Sequence, residues 1–200
     1  MEVHDPSSHT QQIQRCALRA AVILAVLCLA MFACKDKSTE PSGTGPGFTA
    51  KTRLSDVSAL ADSYYPGARF FRAFTSTVDT NGKASQWSYC YVDTSGSHPL
   101  YYFHATSTQV AYDSTSPSYA GPSVITLHWF DSDSAIFFGE QNGGSAYRLA
   151  NTDCWITADL SQTLTPNPRT VWSVIYHSAN SIMLGLMIDA NTGALIGQTR

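Results

Sequence analysis

Trp87-Ser88-Tyr89-Cys90-Tyr91 and Trp172-Ser173-Val174-Ile175-Tyr176 stand 85 residues apart and decide how the chain reads. The first alternates Trp87, Tyr89 and Tyr91 against Ser88 and Cys90, the period-two pattern of a strand with one face buried. The same 85-residue shift lays Leu100–Val110, LYYFHATSTQV, on Gly185–Leu195, GLMIDANTGAL, without a gap. It also sets Phe70-Phe71 on Trp155-Ile156. One constant offset through three separate blocks points to an internal repeat.

Outward from these blocks, a helix is predicted ahead of each strand set. Leu54–Tyr65 reads LSDVSALADSYY, with Ser55 as a cap and Val57, Leu60, Ala61 and Tyr64 on one face. Pro66-Gly67 stops it. In the second half Asp133–Gln141, DSAIFFGEQ, is a weaker helix carrying Gly139 and stopped by Asn142-Gly143-Gly144. Strands are expected over Phe70–Val78, Gln86–Val92, Leu100–Ala105, Cys154–Leu160, Val171–Tyr176 and Ile182–Ile188, with Val124–Phe130 as an extra strand between the halves. Asp79-Thr-Asn-Gly-Lys83 carries the Asn-Gly of a tight hairpin, and Asp189-Ala-Asn-Thr-Gly193 reads as a turn. A helix followed by a run of strands implies the α+β class, here as two helix-plus-antiparallel-strand repeats packed as one unit. A half of about 60–70 residues lies near the lower limit for a core of its own, which favours joining.

The first 34 residues differ in kind. Arg15 and Arg19 precede an uncharged run, Ala20–Ala33, of 14 residues. A membrane span needs roughly 20, whereas a signal-peptide apolar region needs about 7–15. Ala33-Cys34 resembles the lipobox of bacterial lipoproteins, although Met31 and Phe32 stand where Leu and a small residue are commoner. The resemblance implies cleavage before Cys34, lipidation of Cys34, and a membrane anchor outside the cytoplasm. Lys35 follows it rather than the Asp linked with inner-membrane retention, so the outer membrane is expected where the host has one. Lys35–Gly47, KDKSTEPSGTGPG, has the composition of a flexible spacer. The resulting division is a signal at 1–33, a linker at 34–50, a first repeat at 51–120 and a second at 121–200.

Hydrophobic residues make up 44% and charged residues 14%, enough for a core and against wholesale disorder. With a net charge of -3 and no basic block, the chain lacks the electrostatic footprint of a nucleic-acid binder. After processing, only Cys90 and Cys154 stay in the folded part. They can pair in an oxidising compartment or stay as two separate thiols, and sequence does not give the Cα separation that a bridge requires.

No catalytic set emerges. G-x-S-x-G is absent. His98, His104, His128 and His177 are scattered, with neither H-E-x-x-H nor an i, i+4 pair. Asp131-Ser-Asp133 and Asp189-Ala-Asn-Thr lack the remaining oxygens of a calcium loop, and Asp189 fits a turn that bonds its own backbone. Glu140 is the one Glu after the linker, and nothing brings Asp153 or Asp159 opposite a second carboxylate. No Gly-rich phosphate loop is present. Neither a cofactor nor a metal is expected. Adjacent strand residues Tyr101 and Tyr102 point to opposite faces, so one is exposed unless a second layer covers it.

Trp172-Ser-Val-Ile-Tyr176, followed by Leu184-Gly-Leu-Met-Ile-Asp189-Ala-Asn-Thr-Gly193-Ala-Leu-Ile196, resembles the end of a PepSY domain. Pro66-Gly67 and the Asp79–Gly82 hairpin extend the likeness to the first half, where His104 replaces the turn Asp and Thr108 the Gly. The resemblance spans residues 54–110 and 131–197. It implies a non-enzymatic envelope module that contacts or restrains peptidases or binds other protein partners. With the sequence ending at Arg200, a propeptide role is not expected. The function expected is a membrane-tethered binding module. The alternative is a lipoprotein that binds a glycan or small ligand through exposed Tyr and Trp.

Overall fold

The computed structural model describes residues 46–94, 99–117, 124–126, 128–163 and 168–199. Eight strands are present among these residues: β1 (Arg69–Val78), β2 (Gln86–Val92), β3 (Leu100–Thr106), β4 (Val110–Ser116), β5 (Trp155–Gln162), β6 (Thr170–Ser178), β7 (Ser181–Asp189) and β8 (Leu195–Thr199). They form one antiparallel sheet in the order β4-β3-β2-β1-β5-β6-β7-β8. This corrects the expected α+β class of two packed helix-plus-strand repeats. The protein is sheet-dominated, with short helices as additions to one face. The reason lies in β1 and β5. Two separate units would leave the backbone groups along one edge of each of these strands unpaired. Here Ala73 pairs with Leu160 and Phe74 with Asp159, so the two edges become the centre of a continuous ladder.

Register assigns each residue a face. Tyr112, Phe103, Tyr89, Ala73, Leu160, Trp172, Ile188 and Leu195 form one row across all eight strands. Its central members are buried, beneath the helices. The adjacent row is Ala111, His104, Ser88, Phe74, Asp159, Ser173, Met187 and Gly197. These residues point the other way, onto a face that no described helix covers, which explains why the two rows differ so sharply in polarity.

On the covered face, α1 (Leu54–Tyr64) lies over β3 and β4 and buries Leu54, Val57 and Ala61. Ser55 does not cap it; the helix begins one residue earlier, after Arg53, whose Nε pairs with Asp56 Oδ2 at 2.8 Å. Helix α2 (Ser132–Gly139) lies over β6 and β7. Asn142-Gly143-Gly144 breaks it without ending it. The chain passes a π-turn at Glu140–Gly144, with Gly143 at φ 112°, and re-enters helix as α3 (Ser145–Ala150). The extra strand expected over Val124–Phe130 is absent among its described residues, which run along the sheet and plug the core with Ile125 and Trp129. Ile125 N–H reaches Phe70 O at 2.9 Å, and Phe130 N–H reaches Ala190 O at 2.8 Å.

One core serves both halves. Trp87 and Trp172 meet edge to face, centroids 6.1 Å apart, and Trp129 meets Trp172 at 5.9 Å. A buried indole N–H normally finds an acceptor; Trp87 Nε1 donates to Phe48 O and Trp172 Nε1 to Phe130 O, whereas the buried Trp129 Nε1 meets none among the described residues. Phe48 and Ala50, at the end of the expected linker, are already buried. Ser132, fully buried, accepts Ala50 N–H at 3.0 Å and donates to Gly82 O at 2.6 Å. It thereby joins the start of α2 to the first hairpin turn.

Candidate functional site

The helix-free face carries an open groove of about 680 Å³ where β1, β2, β5 and β6 run together. Its floor is the polar row. Arg72, from β1, and Asp159, from β5, are its charged members. Arg72 Nε donates to both carboxylate oxygens of Asp159, at 3.0 and 2.9 Å, and Nη2 donates to Oδ2. The guanidinium also lies over the Phe74 ring, 4.7 Å from its centroid. The hydrogen bonds to Asp159 raise the Arg72 pKa further, against the opposing effect of burial. The guanidinium is therefore held charged and clamped on the carboxylate in a two-point geometry.

Around the pair stand short polar side chains. Thr75 Oγ1 is within 2.9 Å of Gln86 O. Thr157 Oγ1 lies 3.1 Å from His177 Nε2. Among the described residues, no partner meets the side chains of Gln86, Ser88 or Ser173. Beyond Thr157 on the same face of β5, Trp155 stacks on His177 with centroids 5.0 Å apart and planes 9° from parallel. Partial burial holds the His177 pKa below its usual value, so the ring is neutral at neutral pH. Trp155 stays 41% exposed. At the other end Cys90, Val92 and Leu100 form a small apolar cluster with Phe71, Tyr102 and Val124.

Cys34, the expected lipidation site, lies outside the described residues. Cys90 and Cys154 are free thiols that the structure does not bring together. Cys90 sits in the cluster on the helix-free face, whereas Cys154 packs against the core on the other. Burial pushes the Cys90 thiol up to about 12 and the Cys154 thiol up to about 11, so both stay protonated. Of the histidines considered, His98 is outside the described residues. Among the described residues no three His, Cys, Asp or Glu converge on a point that could hold a metal. The carboxylates singled out in the sequence are occupied by hydrogen bonds or ion pairs. Asp131 Oδ1 accepts the N–H groups of Ser132 and Lys51. Asp153 accepts Ser178 Oγ and Ala179 N–H, and Asp189 accepts Asn191 and Thr192 N–H at 3.0 Å. Glu140 pairs with Arg148 at 2.8 Å. Tyr101 is buried against Tyr65, while Tyr102 is half-buried on the other face.

Sequence reasoning missed Arg72 and overlooked the role of Asp159. The signal was present as a single charge inside an otherwise apolar strand, Phe70-Phe-Arg-Ala-Phe74, and again in Ile156-Thr-Ala-Asp-Leu160. A charge at an outward strand position marks the wet face, but its partner lies 87 residues away. No family model, curated protein or solved structure matches the chain.

Proposed function

We propose that this protein is a non-enzymatic binding module, lipid-anchored through Cys34 outside the cytoplasm, that takes its ligand on the helix-free face of the sheet. The observation carrying this is the groove itself: a pre-formed polar surface at the sheet's centre, with Gln86, Ser88 and Ser173 unpaired among the described residues. Gln86 is exposed and Ser88 and Ser173 are half-buried, so their side chains keep donors and acceptors free for a ligand, as the few polar groups of a small-molecule cleft do. The groove supports binding over hydrolysis. Thr157 and His177 meet, but no described carboxylate orients the other ring nitrogen, as a nucleophile–base pair requires. Burial holds both thiols protonated, so neither is a ready nucleophile.

The PepSY resemblance implies a protein partner such as a peptidase. The hydroxyl-rich lining favours the other class, a glycan or small ligand. Two experiments test the module reading. Cys34→Ser should move the protein from membranes to the soluble fraction. In the full chain, envelope extract should shield a Ser173→Cys thiol from maleimide and leave Phe137→Cys, on the helix side, reactive. Equal labelling of both positions in the presence of extract would reject the surface.

A further inference from the structure

The groove's chemistry narrows the ligand class. Of the thirteen described residues that line it, seven are Ser or Thr, so a purely apolar ligand would strand their hydroxyls without partners. Its two charged residues are Arg72 and Asp159, and each is already neutralised by the other. A phosphate or carboxylate ligand would have to compete with Asp159 for the guanidinium, and a cation would have to compete with Arg72 for the carboxylate. A neutral polyhydroxylated ligand displaces neither. Its hydroxyls can donate to the carboxylate and accept from the guanidinium edge, for Arg72 Nη1 meets no acceptor among the described residues. Two residues along β5 from Thr157, about 7 Å at strand spacing, Trp155 offers an exposed indole. Its other side is braced by His177, which is neutral and so does not draw an anion. A flat aromatic beside a field of fixed hydrogen-bonding groups suits a ring with apolar C–H faces and polar edges.

We infer that the groove binds a neutral oligosaccharide, with the Arg72–Asp159 pair as its polar clamp and Trp155 as its stacking platform. This deepens the binding-module reading and rests on it. The groove is open and its volume is that of a small-molecule cleft, so a chain of a few sugar units lies across β1, β5 and β6 toward Trp155.

The native chain carries its own probe. Trp87, Trp129 and Trp172 are buried, which leaves Trp155 as the indole that acrylamide quenches. The full chain in detergent should be titrated with cellohexaose, maltohexaose and chitin hexasaccharide, the last separating N-acetylated sources from plain glucans. At least one should shield Trp155 from acrylamide in a saturable manner. Asp159→Asn, which keeps the shape of the clamp, should weaken that binding at least tenfold. Gln86→Ala, an exposed change at the rim, should weaken it severalfold without altering the melting temperature. Tyr64→Ala, on the helix side, should leave it unchanged. No saturable protection by any of the three sugars overturns the inference, as does binding that survives both Asp159→Asn and Gln86→Ala. If the sugars fail while Ser173→Cys is still shielded by extract, the saccharide is wrong and the module reading stands. If both fail, the two fall together.

Discussion

Gly144 shows how one residue can reverse the sign of a general rule. Its backbone is helical, with φ -58° and ψ -46°. Replacing Gly by Ala in a helix gains up to about 1 kcal/mol from propensity alone. A Cβ here, however, would stand 2.2 Å from the Tyr176 hydroxyl and ring. Tyr176 is fully buried in the core and has no room to retreat. Overpacking costs about 1–3 kcal/mol, so Gly144→Ala should lower stability in a denaturant titration; a gain would mean that α3 moves freely. Asp189 gives the pH counterpart. Burial opposes its charge, but hydrogen bonds from Asn191 and Thr192, with Arg169 nearby, hold its pKa below the usual 3.8. A carboxylate with a depressed folded pKa contributes stability that is present above the unfolded value and lost as pH falls through the folded one. Asp189→Asn should therefore melt lower than the parent at pH 7, and the gap should narrow below about pH 4. A constant gap from pH 7 to pH 2 would show that the charge is irrelevant to the turn. Cys90 should resist thiol reagents in the folded protein and react on denaturation, because burial keeps it protonated.

At the scale of elements, legibility followed the strength of the apolar pattern. Helix α1 was readable because Val57 and Ala61 repeat at helical spacing ahead of Pro66-Gly67. Strands β2, β6 and β7 were readable because each alternates on a covered face. Edge strands β4 and β8 were not, since VAYDSTS carries only Val110 and Tyr112 on its covered face and LIGQT has no buried residue. An edge strand is defined by the neighbour it pairs with, which local sequence does not contain. Val124–Phe130 failed in the opposite direction. Its apolar residues earn burial as plugs beside Phe70 and Trp172, outside any ladder. The start of α2 depends on tertiary partners in the same manner. Ser132→Ala leaves the Ala50 N–H buried without its acceptor, at a cost of about 1–3 kcal/mol. Chemical denaturation should show that loss, and an unchanged midpoint would mean that water replaces the hydroxyl.

For the whole molecule, the decisive contact is the β1–β5 pairing, which no pattern within either half announces. The 85-residue shift carries β1 onto β5, β2 onto β6 and β3 onto β7, so the alignment found strands correctly while implying the wrong assembly of them. The site was invisible for the same reason, because Arg72 and Asp159 come from opposite halves. With one shared core, unfolding should be a single transition. Trp87 and Trp172, one from each half, should report the same midpoint. Two resolved midpoints would show that the halves unfold separately.

The groove straddles the line where residues from the two halves meet. Anything bound there grips both sides of that line and works as a stitch across it. Occupancy should therefore raise the melting temperature as ligand concentration rises through its dissociation constant, by mass action alone. Heat resistance of the molecule would then record how much ligand is at hand.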